Sequence, residues 1–184
     1  MNGPLKGKAL PDIISENLGI LFVGFNPGMK SAQQGHHYAG ASNRFWRLLY
    51  ESGLTDRKLS PEEDRKLLDY GFGSTNLADR PTRQAGELGK EELAEGCGSL
   101  AALITDIRPE TVCYVGIGVY RIFKSHLTGI PGGRLAVCTG LQTDGLFEGI
   151  RDYVCSNPSG LNTIPYGQQL DCFRELRLLT KGND

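Results

Sequence analysis

The sequence has no run of about 18 apolar residues, so it offers no membrane-spanning helix. Its opening stretch, MNGPLKGKALPDI, lacks the apolar core of a signal peptide, and no leader is expected there. No two of the five cysteines (97, 113, 138, 155 and 172) stand at C-x-x-C spacing, which disfavours a disulfide framework and a zinc ribbon. The thiols read as reduced, mostly buried small hydrophobes of an intracellular protein of the cytoplasm, nucleoid or nucleus. Histidine is scarce. His36, His37 and His126 lack ligand spacing and Cys or Asp company, so no metal is expected. Neither sign of charge dominates: 20 Lys and Arg stand against 21 Asp and Glu, a net charge of -1. That balance speaks against a broad basic surface and leaves room for a local nucleic-acid site. Linkers, low-complexity tracts and internal repeats are also missing, and the composition excludes collagen-like, disordered and coiled-coil classes.

What is present suits one domain spanning 1–184, with residues 1–17 as a polar lead-in. A chain of this length buries roughly 70% of its unfolded surface, enough for a core without staples. The run Ile20–Phe25 is short, apolar and continuous, as in a strand buried on both faces, and it stops at Asn26-Pro27-Gly28. A polar loop follows to about Ser42, which is the expected cap of a helix over Asn43–Ser52 ended by Gly53. Phe45 and Trp46 read as core on that helix. Ser60, Pro61 and Glu63 form a capping box for a helix to Tyr70, with Gly71 as the stop. Residues 89–107 show helical apolar spacing. Thr111–Val115 reads as a second buried strand, Gly118–Leu127 as its following helix, and Leu135–Thr139 and Tyr153–Ser156 as two more strands. A final amphipathic helix spans about Gln168–Leu179. This alternation predicts an α/β fold: a three-layer α/β/α sandwich around a mostly parallel sheet. Ligands of such sheets bind at the carboxyl ends of the strands. Two Asn-Pro loops, at Asn26-Pro27 and Asn157-Pro158, follow strands and so could line one cleft.

The first loop, NPGMKSAQQGHHYAG, is too polar and glycine-rich for core. An Asn at a strand end can hold a water through its amide oxygen, but it is no strong base. It suits a reaction whose leaving group departs early and whose water needs placement. Tyr38 in the same loop reads either as a platform for a base or as a loop anchor. Lys30, Arg44, Arg47, Arg80 and Arg83 lie near these motifs as candidate phosphate contacts, or as a solvated face.

The string G-F-N-P-G-M-K-S-A-Q-Q-G-H-H-Y-A-G-A-S-N-R-F-W, with Gly73-Ser-Thr-Asn-Leu-Ala-Asp-Arg-Pro-Thr82 and Asn157-Pro-Ser-Gly-Leu161, resembles the mismatch-specific uracil/thymine-DNA glycosylase family. The likeness runs over roughly residues 18–180 in the family's order and spacing. It implies a uracil-DNA glycosylase-like fold and a monofunctional DNA glycosylase acting on mismatched duplex DNA. The resemblance gives Asn26 the placing of the water that attacks the sugar C1′, and Thr82 a hydroxyl that helps hold it. It assigns base binding to Phe25, Ser31, His37, Tyr38 and Asn76. It assigns DNA contacts to Lys30, Ser159, Gly160, Leu161 and Asn162, with Leu161 as the wedge filling the hole left by a flipped nucleotide. The implied partner is double-stranded DNA carrying G·U or a related mismatch. No cofactor and no membrane are expected, and the protein is expected to act as a monomer in base excision repair.

Three departures bear on this. Ser31 stands where the thymine-acting branch tends to carry Ala, and its hydroxymethyl would crowd a 5-methyl group. It favours uracil, although His36-His37-Tyr38 and Asn76 resemble the thymine branch. Asn162 and Thr163 stand where the family often has a basic residue. Ile117 stands where it commonly has Lys. A neutral Asn and Thr in place of a carboxylate predict modest rates. No lysine sits where a Schiff-base lyase needs one. Two other readings stay open: a catalytically weak or inactive lesion-binding protein of the same fold, and a Rossmann-type nucleotide-binding enzyme. The second rests on Gly116-x-Gly118 and lacks the third glycine of that fingerprint.

Overall fold

In the computed structural model, which describes residues 10–180, the continuous apolar runs form the middle of one five-stranded sheet. β1 (Ile20–Gly24) and β3 (Thr111–Val115) are neighbours and are buried along their whole length. β2 (Phe72–Asn76) flanks β1, and β5 (Arg151–Cys155) flanks β3. These four strands are parallel. A short β4 (Gly140–Leu141) pairs antiparallel with β5, giving the order β2-β1-β3-β5-β4.

Strand alternation divides the core into two layers. Ile20, Phe22, Cys113, Tyr153 and Cys155 face one side. There they meet α2 (Phe45–Ser52), the 3-10 helix Pro61–Tyr70 and α5 (Tyr166–Thr180). Leu21, Val23, Val112, Tyr114 and Val154 face the other side, against α3 (Lys90–Ile107) and α4 (Ile117–Thr128). Phe45 and Trp46 are buried in the first layer. The result is the expected α/β/α sandwich with a mostly parallel sheet. No helix among the described residues is long and apolar enough to cross a membrane.

Several boundaries differ from the sequence reading. Leu135–Thr139 is not a strand. Leu135 and Val137 pack into the α3/α4 layer, while the outer edge of β5 is taken by Gly140, Leu141 and the Gln142 N–H, which donates to Asp152 O at 2.9 Å. β2 escapes sequence patterning because FGSTN holds one large apolar side chain; its burial comes from its neighbours. A six-residue helix, α1 (Met29–Gln34), lies inside the segment expected to be loop. The cap of α2 is Arg44, not Ser42, and the Phe45 N–H donates to Asn43 Oδ1 at 2.9 Å. The capping box at Ser60 is present, with the Ser60 N–H on Glu63 Oε2 at 3.2 Å, but the helix it starts is 3-10. Of the lead-in, residues 1–9 lie outside the described residues. Its later part is no free tail: Leu10 and Ile13 are buried, and Ile13 exchanges two 2.8 Å backbone bonds with Ser74 of β2.

Three buried thiols meet where β3, β5 and α5 join. Cys113 Sγ lies 3.4 Å from Cys155 Sγ, which lies 3.8 Å from Cys172 Sγ. All five cysteines are free, and Cys138 is exposed.

Topology places the site. The chain leaves β1 towards α2 on one face and leaves β3 into α4 on the opposite face, so a crevice opens at the carboxyl ends of these two strands.

Candidate active site

A cleft of about 830 Å³ occupies that crevice, within the range typical of small-ligand sites. All of the site residues expected from the sequence line it: Phe25, Asn26, Lys30, Ser31, His37, Tyr38, Asn76, Thr82, Ser159, Gly160, Leu161 and Asn162.

Asn26 follows β1 directly, and its carboxamide is held from one side. Nδ2 donates to Arg80 O at 2.8 Å and to Thr82 Oγ1 at 2.7 Å. A peptide carbonyl only accepts, so the atom facing Arg80 must be the NH2, and Oδ1 is therefore the free end. Thr82, itself buried, accepts from Asn26 and keeps its own hydroxyl proton to donate. The loops that carry the two residues are tied by a bridge between Gly28 and Thr82, whose N–H donates to Pro27 O at 3.3 Å. The pair thus offers one acceptor and one donor, the needs of a single positioned water.

Asn76 ends β2 beside Gly24, its register partner on β1. A Cβ at residue 24 would lie 2.5 Å from Asn76 Oδ1, so the glycine makes room for this side chain.

Tyr38 has the left-handed φ of 53°, uncommon for a residue with a side chain. Both neighbouring amides are fixed by buried side chains. The His37 N–H donates to Asp64 Oδ2 at 2.9 Å, and the Ala39 N–H donates to Ser31 Oγ at 3.0 Å. The Tyr38 ring stacks on Phe45, with centroids 3.7 Å apart and planes at 20°, and burial raises its phenol pKa. Phe45 is core, so the tyrosine ring is braced from below. Asp64 escaped sequence reading. The signal for it was the capping box that starts its helix.

His37 is committed inside the protein. Nε2 lies 3.0 Å from Pro11 O, which can only accept, so Nε2 carries the proton. Nδ1, 3.0 Å from Ser74 Oγ, then accepts from that hydroxyl. Burial, opposed by the Pro11 bond and by Asp64 and Asp12, lowers the pKa of the ring below the ordinary imidazole value of 6.5. The unfolded chain therefore takes up a proton first as pH falls. The stability drawn from a neutral His37 is complete above 6.5 and is lost as pH falls from there towards the folded value. Urea unfolding at pH 7.5 and 5.5 should show this loss in the wild type and a smaller one in His37→Gln; equal losses would refute the assignment.

The second Asn-Pro loop, after β5, docks on the first. The Arg44 N–H donates to Pro158 O at 2.9 Å, and a Cβ on Gly160 would lie 2.4 Å from Ser42 Cβ. The loop is stiffened from within. Asn157 Oδ1 accepts from the Ser159 N–H, Asn162 Nδ2 donates to Asn157 O, and Asn162 Oδ1 accepts from the Ile164 N–H. The Asn162 side chain thus shapes the loop. Leu161 stands at its tip, 89% exposed. Of the candidate phosphate contacts, Arg47 pairs with Glu51 and Arg80 pairs with Glu92. Lys30 and Arg83 are exposed on the cleft rim.

The family model of the uracil DNA glycosylase superfamily matches residues 11–178 of this chain. Among solved structures, the chain is similar to the solution NMR structure of a candidate uracil DNA glycosylase from Methanosarcina acetivorans. The two share 20% identity with a TM-score of 0.62, over 94% of this chain and 98% of the other.

Proposed function

Because the chain belongs to the uracil DNA glycosylase superfamily, we propose that it removes uracil from mismatched G·U duplex DNA, with weaker action on thymine or modified pyrimidines. The observation that carries this reading is the fixed carboxamide of Asn26. Its Oδ1 accepts from a water, and the Thr82 hydroxyl donates to the same water. The water oxygen bonds to C1′ while the C1′–N1 bond breaks. The bonding electrons leave with the base, and the proton lost by the water balances the charge of the departing anion. The products are free uracil and an abasic sugar. Amide N–H donors at the base, with Asn76 the nearest candidate, favour that anion.

The rest of the cleft suits a base turned out of a helix. Extrusion costs a few kcal/mol, less at a mismatch. Tyr38, braced on Phe45, offers a stacking face, an interaction of roughly 1–3 kcal/mol per base. The exposed Leu161 fills the gap in the duplex. Ser31 favours uracil, because its hydroxyl is pinned by the Ala39 N–H and cannot turn aside for a methyl group. Lys30 sits on the exposed rim, and the chemistry proposed is hydrolysis without a Schiff base.

Single-turnover base release on G·U, A·U and G·T duplexes and on single-stranded uracil DNA tests this reading. Release from G·U exceeding that from G·T is expected, with no covalent adduct trapped by borohydride. Binding without release on every substrate would overturn it in favour of a lesion-binding protein.

A further inference from the structure

We infer that the Arg80–Glu92 ion pair is a positioning device that sets the orientation of the Asn26 carboxamide, an inference that rests on the role proposed for Asn26.

The carbonyl that fixes Asn26 belongs to Arg80, so its accuracy depends on how residue 80 is held. The segment from Leu77 to Thr82 is anchored at its start, where the Leu77 and Ala78 N–H groups donate to Gly24 O and Phe25 O at 2.9 Å each. It is anchored at its end by the Thr82 N–H on Pro27 O. Pro81 supplies no N–H. Between these anchors the Arg80 side chain does the holding. Nε and Nη2 meet Glu92 Oε1 and Oε2 at 2.8 and 3.0 Å, and Nη2 also donates to Glu87 O at 2.7 Å. The fork reaches both sides of the start of α3. Glu92 is itself fixed there, accepting the Gly89 N–H at 3.3 Å in the first turn of a helix whose Cys97, Leu100 and Ile104 are core. The path from core to water is therefore α3, Glu92, Arg80, Asn26.

An exposed ion pair adds little to global stability. Placement is another matter: a displacement of about 1 Å at a reacting group can cost about a hundredfold in rate. A clamp therefore shows in rate rather than in melting temperature. The competing role for Arg80, a phosphate contact, makes an opposite prediction, since removing Glu92 would free the arginine for DNA.

Arg80→Ala and Glu92→Gln are compared with wild type by single-turnover rate at saturating G·U DNA, by DNA affinity and by melting temperature. Both variants should lose about tenfold to a hundredfold in rate, with affinity and melting temperature close to wild type. A Glu92→Gln variant that binds DNA more tightly and keeps its rate would overturn the inference. Side-chain amide NMR reads the same geometry without catalysis. The Asn26 NH2 signals, assigned by their loss in Asn26→Ala, should shift and exchange faster in Glu92→Gln. If the wild type released no base, the proposed function would fail while these signals still decided the clamp: unchanged signals would overturn it.

Discussion

Asn26→Ala should lower single-turnover uracil release by about a hundredfold or more while leaving DNA affinity close to wild type. The substitution removes the Oδ1 acceptor and unties Thr82, so a water at C1′ loses its acceptor and the fixed partner of its donor together. The fold should tolerate the change. Asn26 is half-buried, and each lost bond is worth about 1 kcal/mol. Asn26→Asp is the sharper variant. It keeps an acceptor and is the stronger base, yet it turns an oxygen towards the Arg80 carbonyl where an NH2 stood at 2.8 Å. Its rate should therefore also fall below wild type at neutral pH. An Asp variant matching or exceeding wild type in quench-flow measurements would mean that base strength, not amide orientation, limits the reaction.

The largest loss of stability is expected at Gly96, remote from the chemistry. On α3, a Cβ at this position would lie 2.0 Å from Leu77 O and 3.1 Å from Leu77 C. The obstacle is backbone, so no side chain can swing away, and the helix must retreat from the strand-end segment. Overpacking of this kind costs about 3 kcal/mol. Alanine recovers about 1 kcal/mol of helix propensity over glycine. The net loss of about 2 kcal/mol corresponds to a fall in Tm of about 4–8 °C for a chain of this size. Gly98, on the same helix, has nothing within 4 Å of its would-be Cβ, and Gly98→Ala should raise Tm instead. Calorimetry on the two variants reads opposite signs from one chemical change; equal shifts would dismiss the contact. Because Leu77 leads into Arg80 and Thr82, Gly96→Ala should also slow base release.

Much of this was legible in the chain. β1 and β3 announce themselves as continuous apolar runs, since each is buried on both faces. The helix stop at Gly71 and the cap at Ser60 stand in local residue types. The motif residues Asn26, Tyr38, Thr82 and Leu161 fall into one cleft because strand-end loops of a parallel sheet converge. What stayed hidden depends on partners distant in sequence. β2 is a strand because β1 and Ile13 supply its ladders, although FGSTN has little apolar pattern of its own. Asp64 reaches back 27 residues to the His37 amide, and Ser74 reaches 37 to the His37 ring. The resemblance gave His37 a place at the base, and residue type made Arg80 a candidate phosphate contact; the fold also engages His37 with Pro11 and Ser74 and Arg80 with Glu92. Leu135–Thr139 shows the reverse case, an apolar pattern satisfied by packing under α4 without any strand partner.

The cluster of Cys113, Cys155 and Cys172 supplies a clock for breathing of the fold. Only thiolates react with alkylating reagents; burial pushes the Cys155 thiol far up, and the contact with Cys155, together with burial, does the same to Cys172, so these sulfurs are both hidden and protonated. Cys138, on the surface, is labelled from the outset. Later adducts on Cys113, Cys155 and Cys172, separated by peptide mapping from the buried Cys97 of α3, then timestamp an opening between the sheet and α5, and their rate gives the free energy of that opening. Labelling in the presence of DNA would tell whether the face behind the cleft stiffens when the front is occupied.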